Sequence, residues 1–210
     1  MQDNFDFNDL AVFEKPLIMY LAGYSSDRLP QKFATVCSLS KSQTLQFCLF
    51  YFSRPDSNNF LLNIPIKSLA KLIGCSLQTI KNNNKLLSDI EFISFTTYRN
   101  NSLSLKLHIK DALEDYESLL LRKNLLLRIL EVENVNSIRI IFRFILRLHE
   151  SNNLYNGRDI FYSYNDIQRF LPSNINHKKI INHLVLETKS IFNIEFVNNG
   201  FNISYKSSAI

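Results

Sequence analysis

The amino-acid sequence predicts a mostly helical α+β protein in which one succession of elements occurs twice. Two observations carry that expectation. Helical-period apolar stripes alternate with short period-two runs, and each half closes on two strand-like runs joined by a polar turn. Both halves also run apolar helix, short strand, short helix, turn, polar-faced helix and hairpin, with equivalents about 100 residues apart. A length of 210 residues and 46% hydrophobic content allow one large unit or two small ones with real cores.

The best-formed stretch is Ile66–Ile109. Pro65 is expected at the first position of a helix, where its missing N–H costs nothing. Leu69, Leu72 and Ile73 recur at helical spacing, and Gly74 suits a left-handed helix end. Ser76 is placed to cap a second helix whose inner residues are Ile80 and Leu87. Asn84 falls near that buried stripe, where an apolar residue is usual, and is expected to hydrogen-bond locally. Glu91–Tyr98 and Leu103–Ile109 alternate as half-buried strands around Arg99, Asn100 and Asn101. Short helix, tight turn, polar-faced helix and two-stranded ribbon make a winged helix-turn-helix.

The remainder fits around this motif. Residues 1–36 form an N-terminal arm and helix, with the arm expected to dock on the body or on a second subunit. Residues 37–110 form the first winged-helix domain, opened by a helix capped at Ser40 or Ser42. Residues 111–135 are a helical connector: Ala112 to about Glu133 has an acidic start, basic later turns and many leucines, with no Pro or Gly. Its apolar girth exceeds one stripe, so both sides are expected to be buried. Residues 136–210 form the second winged-helix domain. Its first helix is expected to be capped at Asn136 or Ser137. Its polar-faced helix runs from His177 to about Ser190, with Ile180, Ile181 and Leu184 inside. Its hairpin turns at Asn198-Asn199-Gly200. The fold expectation is therefore tandem winged helix-turn-helix domains joined by a long helix.

Charge sharpens the reading. The net charge is +5, but residues 37–110 hold nine Lys/Arg against three Asp/Glu, a balance of +6, while residues 111–210 hold twelve against eleven. The positive excess lies on the first half, as a phosphate-binding surface requires. Cys37, Cys48 and Cys75 have no metal spacing and read as reduced thiols. No secretion signal or membrane span is expected, and a cytoplasmic location follows. The four glycines build no phosphate loop or dinucleotide fingerprint. No paired-carboxylate or Ser/His/Asp arrangement stands out. No enzymatic activity, cofactor or metal is expected.

Double-stranded DNA is the partner these patterns favour, because an α-helix fits the major groove and Gln, Asn, Thr and Lys contact base edges and phosphates. The first candidate surface is Gln78, Thr79, Lys81, Asn82 and Lys85. The second is Asn176, His177, Lys178, Lys179, Asn182 and His183. Arg139, Arg143 and Arg147 form an i, i+4, i+8 stripe able to straddle phosphates. The wings add Arg99, Asn100 and Asn101 in one half and Asn198 and Asn199 in the other. The alternative reading of each set is a solvated face, and winged helices also serve as protein-interaction modules. The Leu-rich connector and the N-terminal arm are candidate seams of a homodimer.

Tyr164–Tyr205 resembles the C-terminal winged helix of iteron-binding plasmid replication initiators. The resemblance rests on Asn165-Asp-Ile-Gln-Arg-Phe-Leu171, Lys178-Lys-Ile-Ile-Asn-His-Leu184, Phe192-Asn-Ile-Glu-Phe196 and Phe201-Asn-Ile203. The tandem arrangement is also similar, and as a pattern it covers most of residues 40–206. The resemblance implies non-catalytic initiation of replication at repeated origin sites, replication proteins as further partners, and a stronger sequence-specific grip from the second domain. A transcriptional regulator of the same tandem fold and a winged-helix adaptor for proteins are the alternatives.

Overall fold

Period-two and helical patterns compete along this chain, and the outcome decides its topology. The computed structural model describes residues 7–24, 39–88, 90, 93–99, 102–108, 117–151 and 158–206; side chains at 62 and 96–99 lie outside that description. The elements run β1 (Leu10–Glu14), α1 (Lys15–Leu21), α2 (Lys41–Phe52), β2 (Phe60–Pro65), α3 (Ile66–Ile73), α4 (Leu77–Leu87), β3 (Ile93–Arg99) and β4 (Ser102–Leu107). They continue as β5 (Ser118–Arg122), α5 (Lys123–Glu131), α6 (Val135–Glu150), β6 (Ile160–Ser163), α7 (Tyr164–Gln168), α8 (Lys178–Leu186), β7 (Phe192–Val197) and β8 (Gly200–Tyr205). A 3-10 turn at Glu187–Ser190 extends α8. The protein is α+β. Its described strands make three small antiparallel sheets, β1–β5, β2–β4–β3 and β6–β8–β7.

Two stretches share one element order. From α2 to β4 and from α6 to β8, a helix is followed by a strand, two helices and a hairpin, and the last strand lies between the other two. In the first stretch Ser40 caps α2 through a capping box: its Oγ accepts from Gln43 N at 3.4 Å and its own N–H donates to Gln43 Oε1 at 2.8 Å. From Thr44 onward α2 is buried on every side, because β1 and α5 as well as α3 and α4 pack around it. That burial pushes the Cys48 thiol up to about 12, which leaves it unreactive. Phe13 joins this core against the rings of Tyr51 and Phe52, at 5.3 and 5.4 Å. In the second stretch the Phe144 ring on α6 meets Tyr162, Phe192 and Phe201 at 5.3, 5.3 and 5.7 Å.

The expected helix Ala112–Glu133 is not continuous. Residues 109–116 lie outside the described chain, and Ser118–Arg122 is a strand. Leu119 and Leu121 are buried while Leu120 and Arg122 are exposed. Period two therefore overrides the helix propensity of leucine, because β1 offers a ladder from Leu10↔Arg122 to Glu14↔Ser118. Among the described residues of that stretch only α5 is helical, and it buries one side, with Leu125, Leu126 and Ile129 inside and Leu127 exposed. The N-terminal arm is thus the strand partner of the supposed connector. Three boundaries also shift. Pro65 ends β2 and precedes α3. Asn134, not Asn136 or Ser137, caps α6, accepting from Asn136 N at 2.9 Å. Asn199, at φ 64°, supplies the left-handed turn, while Gly200 opens β8. A Cβ at Gly200 would lie 2.3 Å from the Tyr162 carbonyl oxygen, so glycine is required for strand approach.

An ion cluster closes the ribbon onto α6. Lys15 Nζ lies 2.9 Å from Glu117 and 3.5 Å from Glu150, and His149 Nε2 lies 2.8 Å from Glu117. The Lys15 hydrogen bond, with help from His149, holds the Glu117 carboxyl below its ordinary range near 4.5. A depressed carboxylate stabilises the fold fully above its unfolded value and loses that contribution as pH falls through the folded value. Glu117→Gln is therefore expected to lower the urea midpoint at about pH 7 and to approach the parent as pH falls through the folded value of Glu117. A midpoint difference independent of pH would remove the ion cluster from the account.

Candidate nucleic-acid interface

The candidate surface is built on α4, and its position follows from three local devices. Gly74, at φ 72°, reverses the chain after α3 in the left-handed conformation that glycine adopts without strain. Ser76 Oγ then accepts from Thr79 N at 3.0 Å and starts α4. Ile80 and Leu87 anchor the helix in the core, both at 0% exposure.

The third device is polar. Asn83 and Asn84 are buried on the inner face of α4 and meet Gln46 on α2. Gln46 Nε2 donates to Asn84 Oδ1. Asn83 Nδ2 donates to Gln46 Oε1 and to Ser42 Oγ, each at 3.2 Å. Asn84 thus has a partner 38 residues away, on α2. An apolar stripe alone permits a helix to roll; directional bonds between buried amides fix its rotation.

That rotation leaves Gln78, Lys81, Asn82 and Lys85 exposed, with Thr79 half-buried at the edge. Gln78 Nε2 donates to Asn82 Oδ1 at 2.9 Å, one turn on, which holds the two amides side by side. Thr79 Oγ1 lies 2.9 Å from Ser76 Oγ. Leu77 and Leu86 flank the polar strip at 40% and 49% exposure. Of the first hairpin tip, Arg99 ends β3, while Asn100 and Asn101 lie outside the described residues.

The corresponding helix α8 presents a busier face. Asn176, His177, Lys178, Lys179 and His183 are exposed, with His177 at the helix start. Asn182 is half-buried and accepts from Tyr164 Oη at 2.7 Å. Lys178 Nζ sits 5.2 Å from the Tyr164 ring centre, and His183 lies 3.7 Å from Glu187. Ile180, expected inside, is 44% exposed. Asn198 and Asn199 are exposed at the second hairpin tip.

The arginine stripe on α6 is not an outward surface. Arg143 is buried, donating from Nε to the Ala22 carbonyl at 3.0 Å and from Nη2 to the Gly23 carbonyl at 3.2 Å. Its guanidinium carbon lies 3.6 and 3.8 Å from the ring centres of Tyr24 and Phe170. Arg139 donates to the Leu39 carbonyl at 3.1 Å and to Asn136 Oδ1 at 2.8 Å. Both therefore hold protein backbone, and only Arg147 of the three is exposed. The i, i+4 spacing placed them on one face, but that face is covered by the turn after α1. The Gln46 clasp and this arginine staple are what sequence reasoning missed. The clasp left two signals, Asn84 at the buried stripe of α4 and Gln46 within the apolar run 45–52 of α2, and the staple left none.

Among the described residues, no group of His, Cys, Asp and Glu is placed to hold a metal, and no helix is long and apolar enough to cross a membrane. The chain matches no family model and shows significant similarity to no curated protein.

Removing the clasp leaves two buried amides with lost partners. Gln46→Leu, which keeps the volume, is expected to destabilise the fold by about 2–4 kcal/mol in urea unfolding. A loss of under about 0.5 kcal/mol would mean that the amides do not fix α4.

Proposed function

We propose that this chain is a non-enzymatic, sequence-specific binder of double-stranded DNA, composed of tandem winged helix-turn-helix domains, that initiates replication at a plasmid or phage origin. One observation carries the DNA reading. Gln78, Asn82 and Lys85 form an exposed strip along α4, and the opposite face is bonded into the core. An 11-residue helix so held presents amide edges and a cation toward a groove about 12 Å wide. The positive excess of residues 37–110 supports the same surface. The initiator role rests on the resemblance of residues 164–205, and replication proteins are the further partners it implies.

A homodimer, if formed, would use the outer face of the β1–β5 ribbon, where Leu10 and Leu120 are 49% and 52% exposed. A protein-binding adaptor is the second reading. The exposed Leu77 and Leu86 beside the polar strip favour it.

Selection from a random duplex pool, followed by salt titration on the winning sequence, tests the proposal. Lys81→Ala with Lys85→Ala is expected to weaken binding broadly and to lower the slope of log affinity against log salt by about 2. Lys178→Ala with Lys179→Ala measures the share of α8 in the same assay. Direct repeats in the selected sites support the initiator role, and palindromes support a transcriptional regulator. A pool that yields no enriched duplex would overturn the DNA reading and leave the adaptor.

A further inference from the structure

A cleft of about 280 Å³ lies where the turn after α1 meets the second unit. Arg143, Arg147, Arg169, Tyr162, Tyr24 and Phe161 line it, together with the acids Glu150 and Asp166. Both acids already have partners. Asp166 Oδ2 accepts from Ser163 Oγ at 2.7 Å and from Ser163 N at 3.2 Å, as the cap of α7. Glu150 lies 3.5 Å from Lys15 Nζ. The side chains of Arg147 and Arg169 are exposed and have no hydrogen bond or ion pair among the described residues.

The most informative group is Tyr162. It is only 8% exposed, yet its hydroxyl has no hydrogen-bond partner among the described residues. Tyr162 lines the cleft beside Tyr24, Arg143, Arg147 and Asp166. Burial pushes the phenol up to about 12, and it remains a neutral donor in any physiological buffer. The ring is buried but the hydroxyl reaches the solvent of the cleft, where it is free to donate to an acceptor bound there.

We infer that this cleft binds a phosphate-bearing anion, with the Tyr162 hydroxyl donating to a phosphate oxygen, Arg147 and Arg169 closing on it, and Arg143 supplying fixed positive charge behind. Guanidinium forks match phosphate oxygens in geometry, and a neutral phenol adds a bond without adding charge. The aromatic rings of Tyr24 and Phe161 border the site, as a flat group attached to the phosphate would use. The inference does not rest on the DNA-binding reading. The phosphate belongs either to a free ligand or to the backbone of a bound duplex.

Calorimetric titration of the full chain with inorganic pyrophosphate, in chloride buffer, tests the site. One saturable event is expected. Tyr162→Phe, which deletes only the hydroxyl, is expected to weaken it about five- to tenfold. Arg147→Gln with Arg169→Gln, both on exposed side chains, is expected to weaken it about 100-fold. No saturable binding by the parent chain, or parent-like binding by both variants, would overturn the inference. A labelled duplex in parallel identifies the source. If the arginine variant also loses duplex binding and pyrophosphate competes with duplex, the phosphate is that of DNA. If duplex binding is unchanged, the ligand is free in solution. Pyrophosphate binding without any duplex binding would keep this site and sink only the DNA proposal.

Discussion

Arg143 is the constraint on which the rest of the structure depends. A guanidinium taken out of water must be fully occupied, and here it spans two carbonyls and lies between two rings. The carbonyls of Ala22 and Gly23 and the Tyr24 ring belong to the turn after α1, while Arg143 and Phe170 belong to the second unit. Gly23, at φ 71°, gives the turn its left-handed bend, and a Cβ there would lie 3.3 Å from the Arg139 side chain. The N-terminal segment is therefore clamped to α6 at one end. At the other end β1 pairs with β5 and packs against α2. One short segment holds both units, and the buried apolar residues form one continuous cluster through them.

This arrangement bears on recognition. Two helices separated by a flexible connector would address two DNA segments independently. Helices on units tied by β1, α1 and the arginine staple have a defined separation and orientation, and the ordering entropy is met in folding rather than in binding. On the DNA-binding reading, spacing between half-sites is then set by the protein. The clasp of Gln46 with Asn83 and Asn84 acts in the same sense at a smaller scale, since it fixes which residues of α4 point outward. Pre-organisation thus occurs twice: once in the relation between units, once in the rotation of a single helix.

Local signals were legible in the sequence where one residue type does one thing. Gly74 ends α3, Ser76 and Ser40 cap their helices, and the alternation of Leu103, Leu105 and Leu107 makes β4. What stayed hidden depended on a distant partner. Leu119–Leu121 reads as helix until β1 arrives beside it. Asn84 reads as a flaw until Gln46, 38 residues earlier, is known to face it. Arg139 and Arg143 read as a surface stripe because periodicity places residues on a face and cannot say what covers that face. The outward strip of α4 was readable because nothing in the chain covers it among the described residues.

The two polar-faced helices, similar by pattern, are not equivalent in physics. Among the described residues, the Gln78 and Asn82 amides of the outer strip of α4 are tied only to each other, and Lys81 and Lys85 hold no side-chain partner. On α8 the comparable groups are partly committed: Asn182 to Tyr164, Lys178 over the Tyr164 ring, His183 toward Glu187. A side chain already holding a partner must give it up before contacting a base, and that loss is subtracted from the contact. The carboxylate of Glu187 also opposes an approaching phosphate, whereas residues 37–110 carry a surplus of six positive charges, nine against three. On the DNA-binding proposal, charge and availability both favour α4 for the initial grip. On the same proposal, the resemblance of residues 164–205 implies that the finer reading belongs to α8. These roles are compatible, because long-range attraction and base discrimination act at different stages of encounter: an electrostatic surface captures any duplex, and a helix whose contacts each displace an existing bond gains only where the sequence repays the exchange.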